Sequence, residues 1–205
     1  MKFLIFACSL MFLSVNNLAK EPILLKVVHS KSQKAITYHY KASGGLYQFK
    51  YKQLKNGVHL KVVKSEKTLL HFRVQKSAVS IKSKGEFVPL TNKRQKGISK
   101  EIQALLTEQN YDQQSFNGGS LYDSFSGGFG TGIQSILDGG TGSSYNDCHQ
   151  TLSCTCSDGK QISVSCDCGT VVSCETKTVE ICDTNEAGGE ENCREVTNCV
   201  GRCDW

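Results

Sequence analysis

From Ala35 to Leu90 apolar and polar residues alternate with a period of two, and turn-forming residues interrupt the alternation at short intervals. That period puts one set of side chains on one face of a pleated strand, so the segment predicts an antiparallel meander. Its turn signals are Gly44-Gly45, Asn56-Gly57 and Lys84-Gly85, with Asn-Gly the strongest hairpin signal of the three. A loop over 42–45 sets Tyr40 against Tyr47, Tyr38 against Phe49 and Ile36 against Tyr51. A two-residue Asn56-Gly57 loop then sets Tyr51 against Val62 and Gln53 against Leu60. A loop over 65–67 sets Val62 against Leu70, Leu60 against Phe72 and Val58 against Val74. One face stays apolar through all four strands, whereas a one-residue slip would invert every side chain. A tight turn at Lys76-Ser77 lets Val79, Ile81, Val88 and Leu90 extend that face.

After the sheet, Ser99 is placed to cap a short helix that carries Ile102, Leu105 and Leu106 on one side. Residues 111–144 hold nine Gly among Ser, Asn and Asp, which predicts a flexible linker. Phe116, Tyr122, Phe125 and Phe129 are unusual in a plain spacer, and both docking on a module and adhesive contact are open to them. The expected fold is mainly β. It comprises an N-terminal antiparallel meander sheet or half-barrel with one short helix over 20–110, the Gly-rich linker, and a small disulfide-rich β-hairpin module over 145–205.

The same registers dictate the outward face. Lys52 falls opposite Lys61, which sits beside His71 and then Lys82; a neighbouring row runs Leu54, His59, Arg73, and Lys50 lies two residues from Lys52. Like charges set directly opposite across a ladder cost a few tenths of a kcal/mol. A sheet that tolerates them invites an anionic partner, so Lys50, Lys52, His59, Lys61, His71, Arg73 and Lys82 form the candidate anion-binding set. Any single lysine here is adequately explained as a solvent-facing residue that guards the sheet against edge pairing. The hypothesis rests on the cluster. The aromatics between Tyr47 and Lys52 face inward in these registers, which argues against a base-stacking platform. No His pair has a recognised metal-ligand spacing, and a solvated His that adds charge below about pH 6.5 is the plainer reading.

Charge divides the chain. Residues 20–110 carry seventeen Lys and two Arg against five Glu, a net of +14, while residues 145–205 carry four basic and eleven acidic groups, a net of −7. The tail also holds Cys148, Cys154, Cys156, Cys166, Cys168, Cys174, Cys182, Cys193, Cys199 and Cys203. That density and even number read as a disulfide framework formed in an oxidising compartment. Ser153-Cys-Thr-Cys recurs as Ser165-Cys-Asp-Cys with Asp158-Gly159 between them, a hairpin signal. In a strand the two sulfurs of Cys-x-Cys share a face, so each is badly placed to bond its neighbour and well placed to bond another segment. The competing reading makes Cys154, Cys156, Cys166 and Cys168 a sulfur cradle for zinc or copper(I), although their spacing is unlike most zinc sites.

Residues 1–19, with the apolar run Phe3 to Val15, have the layout of a secretory leader. A lipoprotein attached at Cys8 is the alternative. No later stretch approaches the length of a membrane helix. Hydrolase, zinc-protease and nucleotide-loop motifs are absent, and carboxylates are scarce in the basic segment, which argues against paired acid and base catalysis. The expectation is a secreted or periplasmic, surface-associated, non-enzymatic binder without cofactor or metal. Its basic sheet would engage envelope polysaccharide, lipid head groups or nucleic acid, and its cysteine module a partner protein. The alternatives are two modules that dock on each other through their charge, and a cysteine-rich metal-binding envelope protein.

Overall fold

A computed structural model describes residues 22–55, 57–75, 78–116, 149–185 and 187–204. The leader with Cys8, the stretch 117–148 that includes most of the expected linker, Cys148, Asn56 and the Lys76-Ser77 turn lie outside the described residues. The chain is mainly β, as the alternation predicts. Seven strands come first: β1 (Ile23–Ser30), β2 (Ala35–Ala42), β3 (Gly45–Leu54), β4 (Gly57–Lys64), β5 (Lys67–Gln75), β6 (Ala78–Ser83) and β7 (Glu86–Pro89). Helices α1 (Asn92–Gln95) and α2 (Lys100–Phe116) follow, then β8 (His149–Thr155), β9 (Gln161–Asp167), β10 (Val171–Thr184) and β11 (Glu190–Asp204).

The expected registers recur with one revision. Tyr40 pairs with Tyr47, Tyr38 with Phe49 and Ile36 with Tyr51, and across the next hairpin but one Val58, Leu60 and Val62 meet Val74, Phe72 and Leu70. Between β3 and β4, however, Leu54 pairs with Gly57, so Tyr51 faces Leu60 and Gln53 faces Val58. The ladder is displaced by two residues from the one a turn centred on Asn56-Gly57 would set. Gly57 is needed in the strand instead: a Cβ there would lie 2.2 Å from the carbonyl oxygen of Val74, with φ at +151°. Because the side-chain period is two, the displacement leaves every residue on its expected face. At the β4–β5 turn both Ser65 and Glu66 have positive φ. A bulge between Val62 and Val63 takes up the extra Leu69 and so preserves the Val62–Leu70 pair.

Two features exceed the expectation. Strand β1, the nearly unbroken run Ile-Leu-Leu-Lys-Val-Val, pairs antiparallel with β2 on one side and parallel with β10 on the other. The cysteine-rich tail thereby joins the basic segment in one nine-stranded sheet, in the order β11-β10-β1-β2-β3-β4-β5-β6-β7. The helix, capped by the Ser99 hydroxyl on the Ile102 amide at 3.4 Å, runs beyond residue 110 to Phe116, which is buried. Ile102, Leu105, Leu106, Gln109, Asp112 and Phe116 repeat at helical spacing and are all buried against the apolar face.

Three tyrosines on that face keep their hydroxyls satisfied by reaching polar groups of α2. Tyr47 donates to Glu101 at 2.7 Å, Tyr51 to Gln109 at 2.6 Å and Tyr40 to Asp112 at 2.8 Å. A buried hydroxyl without a partner costs about 1 to 3 kcal/mol, so these bonds fix the helix's position along the sheet. Glu101 also accepts from the Gly44 amide at 2.6 Å, so the first turn of α2 holds the β2–β3 turn. A Cβ at Gly44 would stand 2.4 Å from the Glu101 carboxylate and 2.7 Å from the Tyr47 hydroxyl. Gly44→Ala is therefore expected to displace Glu101 and lower stability by about 1 to 3 kcal/mol in urea denaturation.

Strands β8 and β9 form the hairpin that Asp158-Gly159 signals, with Gly159 at φ +82°. The hairpin packs so closely on β11 that a Cβ at Gly201 would lie 2.3 Å from Val164. Disulfides Cys154–Cys174, Cys156–Cys199 and Cys166–Cys203 tie it to β10 and β11, and Cys182–Cys193 joins β10 to β11.

Candidate functional site

The face of β3 to β7 that points away from α2 gathers the candidate anion-binding residues. Lys50, Lys52, Lys61 and Lys82 are exposed, and His59, His71 and Arg73 are half-buried among them. The revised β3–β4 register changes who meets whom: Lys50 lies directly opposite Lys61, and Lys52 opposite His59. Across the next pair Lys61 meets His71 and His59 meets Arg73. Leu54 leaves the His59 row and pairs with Gly57. Among the described residues no carboxylate lies within ion-pair distance of Lys50, Lys52, Lys61, Lys82 or Arg73.

At the centre of the face the ring nitrogens form a chain. The Arg73 Nε donates to His59 Nε2 at 3.2 Å, and His59 Nδ1 is 3.2 Å from His71 Nε2. A guanidinium can only donate, so His59 Nε2 is unprotonated and the neutral ring carries its proton on Nδ1. That proton points to His71 Nε2, which accepts. Phe87 of β7, opposite Lys82, is the floor of the cluster: the guanidinium lies 3.9 Å from its ring centroid, and the His59 and His71 ring centroids lie 5.3 and 4.9 Å from it. Burial, then the charges of His59, Lys61, Lys82 and Arg73, hold the His71 imidazole down at about 4. Burial, then Arg73, Lys61 and Lys52, lowers His59.

Comparison with known proteins adds no relative: no protein family, no curated protein and no solved structure matches the chain. The site must be read from its own chemistry.

Two cavities bear on it. One of about 250 Å³ is lined by Leu54, Lys55, Gly57, His59, Arg73 and Gln75, at the end of the histidine chain. The other, about 430 Å³, is larger but lies over β1 to β3 and takes in Leu25, His39, Leu46 and Lys26. Its lysine is already neutralised, by Glu180 at 2.9 Å and by Glu190. The smaller cavity is the one that adjoins unpaired positive charge.

Beneath α2 a second charged cluster is one that residue spacing does not reveal. Asp112, fully buried, takes Lys177 at 2.5 Å, and Glu108 is shared by Lys177 and Arg202, the latter at 2.5 Å. Glu175 closes the group on Arg202 at 2.7 Å. The cluster runs against the overall charge division, since helix α2 supplies the acids Glu108 and Asp112 while the acidic tail supplies both cations, Lys177 and Arg202, together with Glu175. Every member has a partner in the protein, which makes this a weld between helix and tail.

Among the described residues the sulfurs offer no thiolate. Cys154, Cys156, Cys166 and Cys168 are all disulfide-bonded, and every cysteine of the triads Cys156-Cys174-Cys199 and Glu180-Cys182-Cys193 that come close in space is bridged. Among the described residues no helix is long and apolar enough to cross a membrane.

Proposed function

We propose that this chain is an exported, non-enzymatic binding protein, secreted or periplasmic, whose cationic sheet face engages an anionic polysaccharide. The observation that carries the reading is the Lys50–Lys61 pair, set directly opposite with no acid beside it among the described residues. A ladder position that costs stability in the free protein is explained by a ligand that relieves it. Single-stranded nucleic acid is disfavoured because Tyr47, Phe49 and Tyr51 are buried on the other face, which among the described residues leaves Phe87 on this one, with Arg73 over its ring.

The tail does not neutralise the face. Its Glu180 and Glu190 meet Lys26, which favours some charge pairing between the two halves, yet among the described residues it pairs no acid with Lys50, Lys52, Lys61, Lys82 or Arg73. The cysteine-stapled hairpin then serves as a rigid surface for a partner protein.

A single substitution separates this reading from a purely structural one. Lys50→Glu places opposite charges across the ladder and should raise stability by a few tenths of a kcal/mol while it weakens retention on a dextran sulfate resin. If Lys50→Glu/Lys61→Glu elutes at the same salt as the unaltered chain, or the unaltered chain elutes at physiological salt, the reading fails. Stronger displacement by anionic vesicles or single-stranded DNA than by free dextran sulfate would reassign the partner.

A further inference from the structure

We propose that the Arg73–His59–His71 chain is a proton-linked oxyanion seat, so that the polyanion is held more tightly as the surroundings acidify. The inference rests on the anion-binding reading above and names the residues that regulate it.

The geometry allows the chain to be satisfied only while both rings are neutral. A second proton on His59 must sit on Nε2, where the Arg73 Nε–H already points. One on His71 must sit on Nε2, facing the His59 Nδ1–H. Each protonation thus costs a hydrogen bond and adds a charge to a cluster that lacks a counter-ion. The groups facing the two imidazoles are Lys50 and Lys52 from β3, Lys61 from β4, Arg73 from β5, Lys82 from β6 and the Phe87 ring from β7. None of them is an acid.

An oxyanion changes that balance. It supplies the missing counter-charge, accepts the hydrogens that the broken chain turns outward, and frees Arg73 to bind it with its remaining N–H groups. The adjoining cavity of about 250 Å³, with Lys55, Arg73 and Gln75 in its wall, has room for one substituent of a polymer and little more. A sulfate or phosphate ester on a sugar fits this chemistry.

Linkage fixes the sign. The free His71 titrates at about 4, below the unfolded value of about 6.5, so the unfolded chain takes up protons first and the free protein loses stability as pH falls through that window. Bound anion raises both imidazole pKa values, so affinity grows through the same window and the lost stability is restored.

The test measures dextran sulfate affinity of the full, unreduced chain at about pH 7.5 and about pH 5 at one ionic strength, where each unit of pKa rise contributes up to about tenfold. An increase of about tenfold on acidification is expected, collapsing to under about threefold in His59→Gln/His71→Gln and persisting in His39→Gln. The unaltered chain provides a second measurement that needs no variant: both imidazole resonances should titrate at higher pH when dextran sulfate is present. No binding at either pH would overturn both the function and this inference. Binding of equal strength at the two pH values, imidazole titrations unmoved by ligand, or a pH effect that survives in the double variant would overturn this inference alone.

Discussion

Asp112→Ala is expected to destabilise the protein by about 3 to 5 kcal/mol, the range for breaking a buried ion pair from one side. Asp112 has no exposed surface and holds two partners, the Tyr40 hydroxyl at 2.8 Å and the Lys177 ammonium at 2.5 Å. Its removal orphans a buried hydroxyl and leaves Lys177 to Glu108 and Glu175, which Arg202 already occupies. Lys177→Met should fail in the complementary way, by leaving a carboxylate buried. Asp112→Leu/Lys177→Met should recover the part of the loss that comes from the unpaired ion, because an apolar pair avoids the desolvation that the ions suffer, while the Tyr40 hydroxyl stays without its acceptor. Urea denaturation of the unaltered chain, Asp112→Leu, Lys177→Met and the double variant, with disulfides intact, gives the coupling energy directly. Alkali should expose the same weld. Burial first, and then the charge of Asp112, holds the Tyr40 hydroxyl well above its ordinary value. Burial alone would lower Lys177, but the charges of Asp112 and Glu108 more than reverse that. Both groups keep their protons where the unfolded chain loses them, so stability should fall as pH rises above about 10.

The meander was legible because a period of two is a strong constraint. It sorted Tyr38, Phe49, Leu60 and Phe72 from Lys50, Lys61 and His71, and that sorting survived a two-residue error at β3–β4. The exact partners of Lys52 did not survive it, because hairpin loop length rests on local glycine geometry, and Gly57 answers to the Val74 carbonyl on β5. The parallel β1–β10 pair was not legible for the opposite reason. In β1 the exposed positions Ile23 and Leu25 are as apolar as the buried Leu24, Val27 and Val28, so Ile23 to Val28 gives no period to read. The extension of α2 had a signal, since Gln109, Asp112 and Phe116 continue the spacing of Ile102, Leu105 and Leu106. Two of those are polar and mask the stripe unless the tyrosine hydroxyls across from them are counted. Phe87 was assigned to no face, and the histidine chain it supports emerges only when β7 is laid beside β6.

Removing the Cys156–Cys199 bridge with Cys156→Ser/Cys199→Ser is expected to cost about 4 kcal/mol, and removing Cys182–Cys193 about 3. The difference comes from loop length, with a sequence separation of 43 for the first pair and 11 for the second. The first bridge also has a distinct structural task. Strands β8 and β9 form a separate two-stranded sheet, and such a hairpin is marginal in water unless something holds it to a larger surface. Three of the four bridges between described residues hold it, together with Ile162 and Val164 packed over Gly201. Complete reduction should therefore release amide protection in 149–167 first, while the β2 to β5 amides, backed by the tyrosine core and α2, exchange only on global unfolding. Hydrogen exchange with and without reductant measures the order. Equal loss of protection across both sheets would mean that the bridges stabilise the whole nine-stranded sheet through β10 and β1 rather than the hairpin alone.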